Sequence, residues 1–190
     1  MDIFAHGLWT YAAAKALNKK IESKSKKPLR VWRAAFWGIF PDLFAFAIPF
    51  TWIAWSLAFG GLHISDIPRP QEVEPPTGNT YRIVLLANSL YSLSHSAIIF
   101  IAVFLLIWLM LRRPVLELGG WFLHILIDVP THSYQFYPTP VLWPLSDWKF
   151  HGISWATPWF MILNYSALAV IYFILWRKRK AAAPQGKSSR

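Results

Sequence analysis

Cysteine is absent from the 190 residues, which excludes disulfides and thiolate metal sites and leaves nitrogen and oxygen as the metal donors this chain can offer. Acidic residues are scarce: nine Asp and Glu stand against 19 Lys and Arg, so the excess of positive charge must be matched by something outside the protein. Charged residues of both signs make up only 15% of the chain against 55% hydrophobic, too few to cover the surface of a soluble domain this long. There is no Gly-x-Ser-x-Gly elbow, no phosphate loop and no dinucleotide fingerprint, so serine hydrolase, NTPase and oxidoreductase chemistry lack an anchor. No internal duplication is visible, as a carrier built from inverted repeats would show. No basic stretch precedes the first apolar run, so a cleaved signal is not expected either.

What is present reads as an integral membrane protein. Apolar runs at about 31–60, 83–111 and 153–176 are each long enough for a hydrocarbon layer of roughly 30 Å at 1.5 Å per residue, and shorter ones lie at about 3–17 and 115–129. Basic residues gather between Lys19 and Arg33, at Arg112-Arg113, and from Arg177 to Lys180, while 61–80 and 130–151 hold fewer. The positive-inside rule places the three basic stretches in the cytoplasm and predicts an all-α bundle of about five antiparallel crossing helices. Pro41 is expected to break the second helix. Residues 1–180 then form one membrane-embedded domain and 181–190 a disordered cytoplasmic tail. Membrane lipid is the expected partner of the formal +10 charge, and no nucleic acid is expected, because aromatic and basic residues do not interleave on a polar surface.

Against this apolar background the ionisable residues stand out. His124 and Asp128 lie four apart in Gly-Trp-Phe-Leu-His-Ile-Leu-Ile-Asp and share a helix face; they are either half of a metal site or a buried hydrogen-bonded pair. Counting from the cytoplasmic boundaries at 1.5 Å per residue puts His6 about 18 Å up, Asp42 about 16 Å, His95 about 25 Å, His124 about 15 Å and Asp128 about 21 Å. Five ionisable side chains from four helices thus fall in one slab about 10 Å thick, and intramembrane His and Asp usually mark a site. Each also has a plainer reading. His6 can sit at the interface, with Asp2 four residues earlier on its face as a further ligand. Asp42 after Pro41 can cap a restarted helix, and His95 between Ser94 and Ser96 can be a hydrogen-bonded core residue. Beyond Pro130, His132 loses the shared face and is expected at the rim with Thr131, Ser133, Tyr134 and Tyr137. Asp147 and His151 are expected in a solvated loop, and Glu117 near a helix start.

The set Ala-His-Gly at 5–7, Phe-Pro-Asp at 40–42, Ser-His-Ser at 94–96, Gly-Trp-Phe-Leu-His-Ile-Leu-Ile-Asp at 120–128 and Leu-Trp-Pro-Leu-Ser-Asp at 142–147 resembles the bacterial membrane-bound metal-dependent hydrolase family. More remotely it is similar to the all-helical zinc-dependent phospholipase C and single-strand nuclease fold. That resemblance implies an inner-membrane location and a zinc held by Asp42, His95, His124 and Asp128, with Asp128 bridging to a second metal near His6. A late His-x-x-x-Glu pair is missing, so a third metal is not implied. Two histidines and two carboxylates suit Zn²⁺, or manganese or iron. The function expected is hydrolysis of an anionic phosphoester or lipid-like substrate, with Asp42, Asp128 and His132 acting on it. The competing reading is non-enzymatic: a metal or proton carrier, or a scaffold with a structural metal.

Overall fold

A computed structural model describes residues 1–22, 27–61, 63–66 and 82–182. Among them are six α-helices and no strand: α1 (Ile3–Glu22), α2 (Val31–Phe59), α3 (Arg82–Ser94), α4 (Ala97–Leu111), α5 (Gly119–Thr131) and α6 (Pro158–Ala182). The all-helical class is as expected, and the count is six where five were expected. Two helices, α2 and α6, are long and apolar enough to cross a membrane, or three spans if the bent pair α3–α4 is one; five crossings are not supported. Only 11% of the apolar window in each of α2 and α6 is buried inside the protein, so Phe44, Phe50 and Trp55 of α2 and Ile162 and Phe173 of α6 need lipid around them. Helix α6 runs through Ala182, two residues into the tail expected at 181–190, and 183–190 lie outside the described residues.

The break is also elsewhere. Pro41 and Pro49 both sit inside the continuous α2. Proline frees a carbonyl, which is tolerated at membrane depth where neighbouring helices supply donors. In the turns around Pro41 other helices bond the backbone: Ser94 Oγ donates to Pro41 O at 3.1 Å, and His124 Nδ1 lies 2.7 Å from Gly38 O. The chain breaks instead at Ser-His-Ser, where α3 and α4 meet at 60°. Ser96 adopts extended backbone and caps α4, its Oγ accepting from the N–H groups of Ile98 and Ile99 at 3.1 and 3.2 Å while donating to Trp143 O. Trp121 Nε1 donates to Ser94 O at 2.6 Å, and Ala97 N to Val141 O at 2.9 Å. The bonds to Ser94 O, Ala97 N, Ile98 N and Ile99 N each settle a backbone group that the break would otherwise strand.

Helix α2 is central and packs against α1, α3 and α5. The α1–α2–α5 contact is close because two glycines make it so. A Cβ on Gly120 would lie 2.2 Å from Ala34 O, and one on Gly38 would lie 2.3 Å from Thr10 Oγ1. Beside this contact, Phe100, Leu118, Trp121 and Ile125 form one core with Trp37 and Phe40, and Met1, Ala5 and Leu168 form another with Trp9 and Trp155. The entry to α1 is fixed by Asp2, whose Oδ1 accepts from Phe4 N and Ala5 N at 3.1 and 3.0 Å. Its exit is fixed by Asn18, which bonds both backbone groups of Leu29 at 2.9 and 2.7 Å. Glu117 does not serve its own helix; its Oε1 accepts from Arg30 N at the start of α2.

Candidate metal centre

Three helices and one helix break bring the ionisable residues together. Asp42 comes from the middle of α2, His95 from the turn between α3 and α4, and His124 and Asp128 from one face of α5. One donor atom from each of these four lies within 4.8 Å of all the others, a grouping that can hold a metal ion. His95, His124 and Asp128 are completely buried, and the Asp42 side chain is 13% exposed, so the group meets its surroundings through Asp42. His6 of α1 joins from the other side: it is also fully buried, its ring stacks on His124 at 3.6 Å, and its Nε2 is 2.9 Å from Asp128 Oδ1.

The hydrogen bonds on the far side of each imidazole decide what the near side can do. His124 Nδ1 faces the Gly38 carbonyl, which only accepts, so Nδ1 carries the proton and Nε2 presents a lone pair. In His95 the same assignment follows: Ser94 Oγ gives its proton to Pro41 O, leaving a lone pair for His95 Nδ1–H at 2.9 Å, with Tyr91 O at 3.2 Å as a second acceptor. The two Nε2 atoms then face each other at 3.0 Å. Asp128 Oδ2 adds a third lone-pair atom, 3.1 Å from His124 Nε2 and 3.4 Å from His95 Nε2, yet it makes no hydrogen bond. Asp42 Oδ1 adds a fourth, 3.5 Å from His95 Nε2 and 3.7 Å from His124 Nε2. Four acceptors pointed at one another in a buried site repel unless a proton or a cation lies between them. Imidazoles whose Nδ1–H is tied to backbone carbonyls are the usual outer partners of a metal-binding histidine. The donor set therefore fits a divalent cation.

Asp128 has a second face. Its Oδ1 accepts from the amino group of Met1, and that amino group also lies 2.9 Å from His132 Nε2. The Met1 amino group thus lies beside Oδ1, on the face of Asp128 where the family resemblance implied a second ion. His132 is not at the rim. It is 4% exposed, its Nε2 is 3.4 Å from Asp128 Oδ1, and its Nδ1 donates to Tyr137 O at 2.6 Å. Pro130 does not end α5, which continues to Thr131 and leaves His132 four residues on from Asp128, one turn along the same face. The freed carbonyls at this end are taken by a distant segment: Gly152 N donates to His132 O at 2.8 Å, Ile153 N to Pro130 O at 3.0 Å and Trp155 N to Thr131 O at 2.9 Å.

One partner, Tyr91, was missed in the sequence. Tyr91 stacks on His95 at 3.8 Å and donates to Tyr137 O at 2.9 Å. Tyr137 has φ +46°, in the left-handed region, and its carbonyl serves both Tyr91 and His132. The spacing of Tyr91 and His95, four apart, was the available signal; Tyr137 was expected beside the site, and the role of its carbonyl has no local mark. Asp2 is not among the four grouped ligands and serves as the cap of α1. Asp147 and His151 lie exposed in the loop, as a solvated segment should.

Beside the cluster opens a cavity of about 520 Å³. Asp42 and His132 form part of its wall, and the rest is apolar, from Phe46, Phe50 and Ile53 of α2 to Val84 and Ala87 of α3. No protein-family model, curated protein or solved structure matches the chain.

Proposed function

We propose that this protein is a membrane-embedded, metal-dependent hydrolase that cleaves a phosphoester of an amphiphilic, lipid-like substrate. One observation carries the reading: the cation-competent cluster is not sealed inside the bundle but shares Asp42 with the wall of an apolar cavity, so a structural metal alone would leave the cavity without a purpose. Asp42, His95, His124 and Asp128 hold the ion, for which zinc is the first choice. Once bound, such an ion supplies Lewis acidity to a phosphoryl oxygen and acidifies nearby water.

The remaining chemistry belongs to the chain. Phe46, Phe50, Ile53, Val84 and Ala87 take up an apolar tail, leaving the ester at the polar end beside Asp42 and His132. Asp128 keeps Oδ2 directed at His95 and His124 because Oδ1 is anchored by Met1 and faced by His6 and His132. His132 stands between cavity and carboxylate, where it orients both. Water forms the new P–O bond, the bond to the alcohol breaks, and the alcohol leaves with a proton. The basic residues from Lys27 to Arg33 favour a cytoplasmic start of α2, and the resemblance favours a bacterial inner membrane as the location.

The test uses detergent-purified, zinc-loaded full chain against a panel of phosphodiesters and short-chain phospholipids. His124→Ala and Asp128→Asn should abolish turnover while still inserting in the membrane, and His132→Ala should slow it about tenfold, about 1.4 kcal/mol. Absence of turnover in the loaded wild type, with metal or proton flux in liposomes instead, would replace the hydrolase by a carrier.

A further inference from the structure

The cavity contains two polar atoms that the protein leaves over. Asp2 Oδ2 and Trp155 Nε1 are both buried and have no hydrogen-bond partner among the described residues, and both residues line the cavity. Neither is loosely held. The other oxygen of Asp2 accepts from Phe4 N, from Ala5 N and from the Tyr165 hydroxyl, the last at 2.9 Å. Trp155 is pinned through its backbone N–H to Thr131 O at 2.9 Å, and its ring packs edge-on against Phe136 at 5.7 Å. Trp155 also packs on the core built around Met1 and Ala5, so both atoms belong to the Met1 end of the cavity, where Met1 itself touches Asp128 and His132. Apolar residues of α2 and α3 line the same cavity.

A buried carboxylate oxygen without a donor and a buried indole N–H without an acceptor each cost free energy, and indole N–H groups are normally paired when buried. We propose that this end of the cavity is a head-group subsite for a hydroxyl-bearing, polyol-type lipid head group, an inference that rests on the hydrolase reading for the ester beside it. The chemistry of the two orphans selects the class. A hydroxyl both gives and takes a hydrogen bond, so two hydroxyls of one head group satisfy Asp2 Oδ2 as donor and Trp155 Nε1 as acceptor. A primary ammonium has donors only and leaves the indole N–H unpaired. A quaternary ammonium has neither N–H nor O–H to offer Asp2. A site built to hydrogen-bond a hydroxyl rejects an analogue lacking it more strongly than an apolar pocket rejects a missing methylene.

The experiment compares phosphatidylglycerol, phosphatidylethanolamine and phosphatidylcholine of identical short acyl chains with the zinc-loaded full chain, reading both turnover and binding by thermal stabilisation. Two conservative variants are used. Asp2→Asn keeps an N-capping side chain for α1 but loses the charge, and Trp155→Phe keeps the packing but loses the N–H. Wild type should favour phosphatidylglycerol over phosphatidylcholine by at least about tenfold, and in each variant that ratio should fall to within about threefold. Glycerol 3-phosphate, which has the hydroxyls without the chains, should bind far more weakly than phosphatidylglycerol, and equal binding would remove the lipid from the proposal. Turnover of all three lipids at equal rates would overturn the subsite while the hydrolase stood. A phosphatidylglycerol preference in binding that both variants abolish, with no turnover of any lipid, would support the subsite and overturn the hydrolase. Neither preference nor turnover would overturn both.

Discussion

Gly119 and Gly120 are neighbours at the start of α5, and replacing each by alanine should have opposite consequences. A Cβ on Gly119 meets nothing within 4 Å. A Cβ on Gly120 would stand 2.2 Å from Ala34 O and 3.0 Å from both Gly38 N and Thr10 Cγ2. The nearest of these is backbone and cannot rotate away, so α5 must retreat from α2 by about 1 Å to restore van der Waals contact. Overpacking of this kind costs about 1–3 kcal/mol. The retreat also acts on the site, because His124 lies one turn further along α5 and its Nδ1 is held 2.7 Å from Gly38 O, on the helix being pushed away. Stretching that bond by about 1 Å takes it beyond hydrogen-bond length. Losing an outer partner of a metal ligand weakens metal affinity about 10–100-fold. Chelator competition on detergent-purified protein measures this: Gly120→Ala should release zinc at about 10–100-fold lower chelator excess, whereas Gly119→Ala should match wild type. Wild-type affinity in Gly120→Ala would refute the coupling between the glycine contact and the imidazole, and an equal loss in both variants would show that the effect is general to the helix start.

The metal ligands and the orientation make two further predictions. Elemental analysis should find metal in wild type and none in Asp128→Ala, since Asp128 faces both His95 and His124; equal contents would sink the assignment. In this cysteine-free chain, single cysteines at Arg30 and Gly61, at the two ends of α2, should label from opposite sides with Arg30 on the cytoplasmic one, and labelling of both from the same side would remove α2 as a crossing.

Much of the cluster was legible because two independent signals agree on it. The four-residue spacing of His124 and Asp128 fixes a shared face without reference to anything else. The basic clusters, read as marking one side of the membrane, put Asp42 and His95 in the same slab about 10 Å thick. The number of crossings was less legible, because α1 and α5 are apolar enough to suggest spans but gain their place by packing on α2. The position of the break was misread for a physical reason. Proline is the strongest local breaking signal, but its effect depends on whether the freed carbonyls find donors. The side chains that bond the backbone around Pro41, Ser94 and His124, lie 53 and 86 residues away from the carbonyls they serve, so no window around Pro41 contains them.

His132 follows the same logic and shows what such sequences conceal. Pro130 was expected to turn the chain away from the face of Asp128, yet it sits so near the end of α5 that few helix bonds depend on it. The carbonyls of Pro130, Thr131 and His132 are instead bonded by the N–H groups of Ile153, Trp155 and Gly152. Gly152 is required there, since a Cβ would lie 2.3 Å from Pro130 O. In each case a contact that satisfies backbone at depth also aims a ligand. Ser94 bonds Pro41 O and orients His95, Gly38 O takes the His124 proton, and the segment at 152–155 that closes α5 holds His132 against Asp128. Water is not on hand in a bilayer to relieve a misplaced carbonyl, so the requirement to satisfy the backbone and the requirement to orient the ligands fall on the same few side chains. A serine, glycine or proline next to an intramembrane histidine therefore carries information about where that histidine points, beyond its effect on helix continuity.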